Sequence, residues 1–163
     1  MSAARRLLIL GGIGLALLGM IYGLWYAVFA EHQEIDGIGK SLATAFSAAA
    51  GRDSTAAGNA LKAYREVKYT YDRHVDVHGH WIGLAMILIV LGIALDRMSS
   101  SERMKMMLSA GLLLGSFLFP LGVLLQTYSR GAAPRAAAVA GSALVIVSLA
   151  GMMLGFALSP KSN

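Results

Sequence analysis

Residues 7–29 are twenty-three consecutive positions without a charged side chain, and a run of that length has one physical home. As a helix it rises about 35 Å, enough to cross the ~30 Å hydrocarbon core of a bilayer. Lipid offers the backbone no water, so the run must close its own hydrogen bonds as a helix. Three more uncharged stretches follow at 81–95, 106–126 and 136–158. With 56% hydrophobic and 14% charged residues over 163 positions, the composition is that of a small integral membrane protein. The expected fold is all-α: an integral membrane four-helix bundle with a helical extracytoplasmic insertion between helices 1 and 2. Its parts are 1–29 (tail and first span), 30–80 (insertion), 81–158 (three spans) and 159–163 (cytoplasmic tail).

Charge sets the expected orientation. Arg5 and Arg6 precede the first span, and Tyr22, Trp25 and Tyr26 cluster near its far end, which reads as a cytoplasmic N-terminus and an outer aromatic belt. Arg97, Arg103 and Lys105 fall in a turn expected to be cytoplasmic, Arg130, Pro134 and Arg135 in an outer loop, and Lys161 in a cytoplasmic tail. Val28, Phe29 and Ala30 resemble a signal-peptide cleavage site, but the apolar stretch exceeds a usual signal core. A retained anchor in a bacterial inner membrane is expected.

The segment 31–80 carries seven of nine acidic residues and all four histidines. Leu42, Ala45, Phe46 and Ala49 follow helical spacing, and Gly51–Thr55 reads as a turn in which Asp53 or Ser54 caps the next helix. That helix starts near Ala56 and either runs on into the membrane or breaks at Gly79; two short helices lying on the surface would also account for the segment. Gly39-Lys40-Ser41 resembles the end of a phosphate loop, but Glu34 stands where its first glycine is required. Pro120 is expected to kink the third span or free a carbonyl. Gly19/Gly23, Gly111/Gly115 and Gly151/Gly155 are each four apart, the spacing that lets backbones approach closely in lipid, within a tight bundle or against another subunit.

The chemistry concentrates in Tyr69–Trp81. His74, His78 and His80 interleave with Asp72 and Asp76; on a helix His74 and His78 share a face, as do the two aspartates, while His80 points about 200° from His78. His32 lies just beyond the first span. If the first two spans are neighbours, imidazoles from each meet across their ends, as haem b requires, with Gly79, Gly83, Tyr22 and Tyr26 edging the ring. Alternatively Glu31, His32, Glu34 and Asp36 with Asp72, His74, Asp76 and His78 hold copper, iron or zinc, although the spacing matches no strict signature. The same residues also serve simply as interface groups, Asp72 or Asp76 pairing with Arg65, Lys68 or Arg73. With no cysteine, thiolate sites, iron–sulfur clusters and disulfides are excluded. No nucleophile and base constellation nominates an autonomous enzyme, no basic and aromatic run points to nucleic acid, and no mid-membrane charge points to a transporter.

The run His78-Gly-His80-Trp-Ile-Gly-Leu-Ala-Met, preceded by Tyr64-Arg65-Glu66, resembles small uncharacterised bacterial membrane proteins in which a His-x-His pair opens a transmembrane helix, proteins likened to haem-copper oxidase subunits and b-type haem membrane proteins. The resemblance covers about thirty residues and implies haem or copper ligation by His78 and His80. The later spans contain no histidine, so a complete haem-copper site requires ligands from outside this chain. The leading expectation is a redox or electron-transfer subunit of a larger complex. It would bind haem b or a metal at the outer surface through His78, with His32, His74 or His80 as second ligand. The alternative is a non-catalytic accessory subunit. Lipid, other membrane subunits or a second copy are the expected partners.

Overall fold

The structure, a computed structural model, describes residues 1–158; the tail with Lys161 lies outside them. Five helices follow one another: α1 (Ala3–Phe29), α2 (Glu31–Ala50), α3 (Ser54–Ala94), α4 (Glu102–Tyr128) and α5 (Ala132–Ala157), with a 3-10 turn at Leu95–Arg97. No strand occurs among the described residues. Four helices, α1, α3, α4 and α5, are long and apolar enough to cross a membrane. They cover the four expected spans to within a residue; α1, α4 and α5 extend them by a few residues, whereas α3 begins twenty-seven residues before its expected span.

Three of the five helices, α1, α3 and α4, start at side-chain caps. Ser2 accepts from the Arg5 N–H, Asp53 from Ala56 and Ser101 from Met104, each satisfying a donor that the first turn leaves free. Asp53 is one of the two cap residues expected. Between α2 and α3 the chain reverses through Gly51–Asp53, where Arg52 takes the left-handed conformation (φ 57°). α4 continues through Pro120, whose missing N–H leaves the Ser116 carbonyl without its usual donor.

Of the arrangements open in sequence, the uninterrupted helix is found. α3 runs 41 residues, including Gly79, without a break. It spans about 61 Å, more than a bilayer with its headgroups. α1 and α2 are nearly one helix as well. Ala30 departs only mildly (φ −119°, ψ −42°), its N–H still bonds Tyr26 and its carbonyl still accepts from Glu34. The chain therefore begins as two long antiparallel helical arms, with α4 and α5 packed as a second hairpin against the first arms' apolar halves.

Arg130, between α4 and α5, pairs with Glu66 and lies 4.4 Å from the Tyr69 ring. The bundle thus reaches the level of Glu66–Tyr69 on α3. Beyond that level α2 and the start of α3 stand as a two-helix hairpin, closed by small residues: Ala45 and Ala60 are buried, and a Cβ at Gly37 would lie 3.2 Å from Val67.

Within the bundle, lipid removes the hydrophobic advantage of helix association and leaves close packing to decide. A Cβ at Gly122 would lie 2.3 Å from the Ala138 nitrogen, and one at Gly141 2.4 Å from the Phe119 nitrogen. Those glycines hold the α4–α5 backbones together. The three glycine pairs seen in sequence also pack inside the chain: Gly19 and Gly23 against α3, Gly111 and Gly115 against α5, Gly151 against Leu108 and Gly155 against Met98. Leu8, Leu88, Leu95 and Leu112 are fully buried between these seams.

Candidate functional site

At the hairpin end of the bundle, α1, α2 and α3 meet around one imidazole. Tyr22 and Tyr26 are one turn apart on α1. Because the helix scarcely bends at Ala30, Glu34 lies two further turns along the same face. His74 of α3 fits into that face and is only 6% exposed. Its ring meets Tyr26 edge-on at 5.0 Å, with Tyr22 and Trp25 at 6.3 and 6.4 Å. The Tyr26 hydroxyl donates to Glu34 Oε2 at 2.8 Å, and Glu34 Oε1 lies 3.6 Å from His74 Nδ1. Tyr22 in turn meets Trp81 edge-on at 5.3 Å. His74 Nδ1, the Tyr22 hydroxyl and Trp81 Nε1 are buried without a hydrogen-bond partner among the described residues.

The other histidines go elsewhere. His78 lies over Gly23, where a Cβ would come within 2.4 Å of the ring, and its Nδ1 is 3.0 Å from the Gly19 carbonyl. His80 turns to α4, edge-on to Phe119 at 4.7 Å, with Nδ1 2.6 Å from the Asp76 carbonyl. Since a carbonyl can only accept, Nδ1 is the donor in both contacts. His32 is 85% exposed in its side chain and faces only Asp36. Asp72 pairs with Lys68 and Asp76 with Arg73, two of the pairings open in sequence. Gly79 and Gly83, expected to edge a haem, have nothing within 4 Å of a notional Cβ.

No family model, curated protein or solved structure matches this chain.

A haem held by two imidazoles needs nitrogens approaching the iron from opposite sides, and this geometry does not fit. His74 and His78 project from one face of one helix, His80 is directed to α4, and His32 is out on α2. Among the described residues no group of three or more histidine, cysteine, aspartate or glutamate side chains is placed to hold a metal ion. The four histidines named from sequence thus go to four different surroundings, and Asp72 and Asp76 to a lysine and an arginine. What the sequence reading missed is the Tyr26–Glu34–His74 connection. Its signal was the four-residue spacing Tyr22, Tyr26, Ala30, Glu34, legible only if the helix is taken to continue through Ala30.

Proposed function

We propose that the chain is a non-catalytic accessory subunit of a membrane complex, whose α2–α3 hairpin holds a partner protein just off the bilayer. One observation carries this: α2 leaves a helical stripe, Ile35, Gly39, Ala43, Phe46 and Ala50, uncovered on the face away from α3, with Phe46 72% exposed. An apolar stripe at that spacing on an aqueous hairpin is the form a helix presents to a groove or to another helix. The histidine stretch supports the reading because its imidazoles join helices. His74 ties α3 to α1 and α2, His78 ties it to α1 and His80 meets α4. With the N-terminus in the cytoplasm of a bacterial inner membrane, the hairpin stands on the outer side.

The test is the size and colour of the protein extracted in mild detergent. The expected particle is colourless and larger than one chain in its micelle. Ile35→Glu with Phe46→Glu dissociates it without loss of helical circular dichroism. A monomeric particle indifferent to that double substitution, or haem in stoichiometric amount lost on His78→Ala, would overturn the reading.

A redox subunit is the second reading, favoured by one specific feature. Ligating histidines commonly donate their other ring N–H to a backbone carbonyl, the state of both His78 and His80. On this reading the missing ligands for haem b or a metal come from another chain, and His78→Ala abolishes the Soret band of the intact complex only.

A further inference from the structure

At the end of the bundle away from the hairpin, an open groove of about 450 Å3 lies between α1 and α4 on the outer surface of the bundle, lined by Gly11, Gly14 and Leu18 of α1 and by Ala110 and Phe117 of α4. A second cavity of about 420 Å3 shares Leu7 and Gly11 with it and opens at Arg6. The two adjoin along α1 as one shallow, open apolar channel, with Leu113 packed over Gly11 between them and the Arg6 guanidinium at the far end. Arg103 precedes Met106, which lines the second cavity, by three residues on α4 and so stands on the same helix face.

Charge at this mouth is one-sided. Arg5, Arg6, Arg97, Arg103 and Lys105 stand against two carboxylates, and both carboxylates are engaged, Asp96 by Arg5 and Glu102 by Lys105. Arg6 and Arg103 have no carboxylate partner among the described residues. The length is equally specific. From Arg6 to Leu18 the channel runs about 18 Å, close to the roughly 15 Å of one leaflet's hydrocarbon. The groove itself, from Arg6 to Leu18, matches one leaflet and not two.

We infer that the α1–α4 channel binds one anionic phospholipid, its acyl chain along Gly14 and Leu18 and its phosphate between Arg6 and Arg103. The site is independent of the hairpin and of the role assigned to it.

The experiment reconstitutes the full chain in vesicles of phosphatidylcholine and phosphatidylglycerol in equal parts with identical acyl chains, extracts it in mild detergent and counts retained lipids by native mass spectrometry. One phosphatidylglycerol per chain is expected, retained at least tenfold over phosphatidylcholine. Arg6→Gln with Arg103→Gln removes the preference. Gly14→Leu, whose side chain enters open space, removes the lipid, and Lys62→Gln on the hairpin changes neither. Equal retention of both lipids, or the same loss with Lys62→Gln, overturns the proposal. So does a dimer that Gly14→Leu dissociates, since that would make a second copy the occupant.

Discussion

The Tyr26 hydroxyl reaches from the last turn of α1 to a carboxylate on α2, and that carboxylate faces an imidazole on α3. Three helices are thereby joined at one Glu34 side chain, where the polar hairpin meets the apolar bundle. Hydrogen bonds to charged groups are each worth about 1.5–3 kcal/mol, so Tyr26→Phe should destabilise the joint by about that amount. Hydrogen exchange is the measure: amides of α2 should exchange faster while those of α4 and α5 keep their protection. The residue types of this cluster were readable in the sequence, and so was the sharing of a face by His74 and His78. Which neighbour each face meets was not readable, because that depends on how α1 is rotated against α3. That rotation is fixed by Gly19 and Gly23, which admit Trp81, Ile82 and the His78 ring.

Among the elements, α3 departs most from a division of the chain into membrane and surface parts. Its composition changes sharply at Trp81, yet its backbone does not, since neither Gly79 nor the histidines interrupt the hydrogen-bond ladder. Hydropathy reports the solvent of each turn, and helix continuity is decided by breakers and caps; here the caps fall at Asp53 and after Ala94. Gly79 sits mid-helix with open space around it, where glycine costs about 1 kcal/mol relative to alanine. Gly79→Ala should therefore raise stability by up to about that amount, seen as a higher midpoint of thermal unfolding in detergent. A drop would mean that α3 needs a bend there. That four long apolar helices would form was legible because long uncharged runs admit only one structure in lipid, whereas the start of α3 at Ser54 was not.

At the scale of the whole molecule, two hairpins of different character are joined. α4 and α5 approach through Gly122 and Gly141 with backbone against backbone, and no flexible side chain there can give way. Gly141→Ala should force them apart at a cost of about 1–3 kcal/mol, reducing the yield of folded protein in detergent and its unfolding midpoint. The α2–α3 hairpin carries a much thinner seam and leaves one side of α2 uncovered. The glycine spacing announced close approach in the sequence, and the structure satisfies it within one chain.

The unbroken α3 has a mechanical corollary. A rod whose lower part is apolar enough to sit in lipid and whose upper part continues about 20 Å past Glu66–Tyr69 amplifies small rotations. Transmembrane helices adjust their tilt to the thickness of the surrounding bilayer, and a change of about 10° displaces the Gly51–Asp53 turn sideways by about 3.5 Å. Membrane thickness and the position of the hairpin tip are thus geometrically linked, with no hinge between them to absorb the difference.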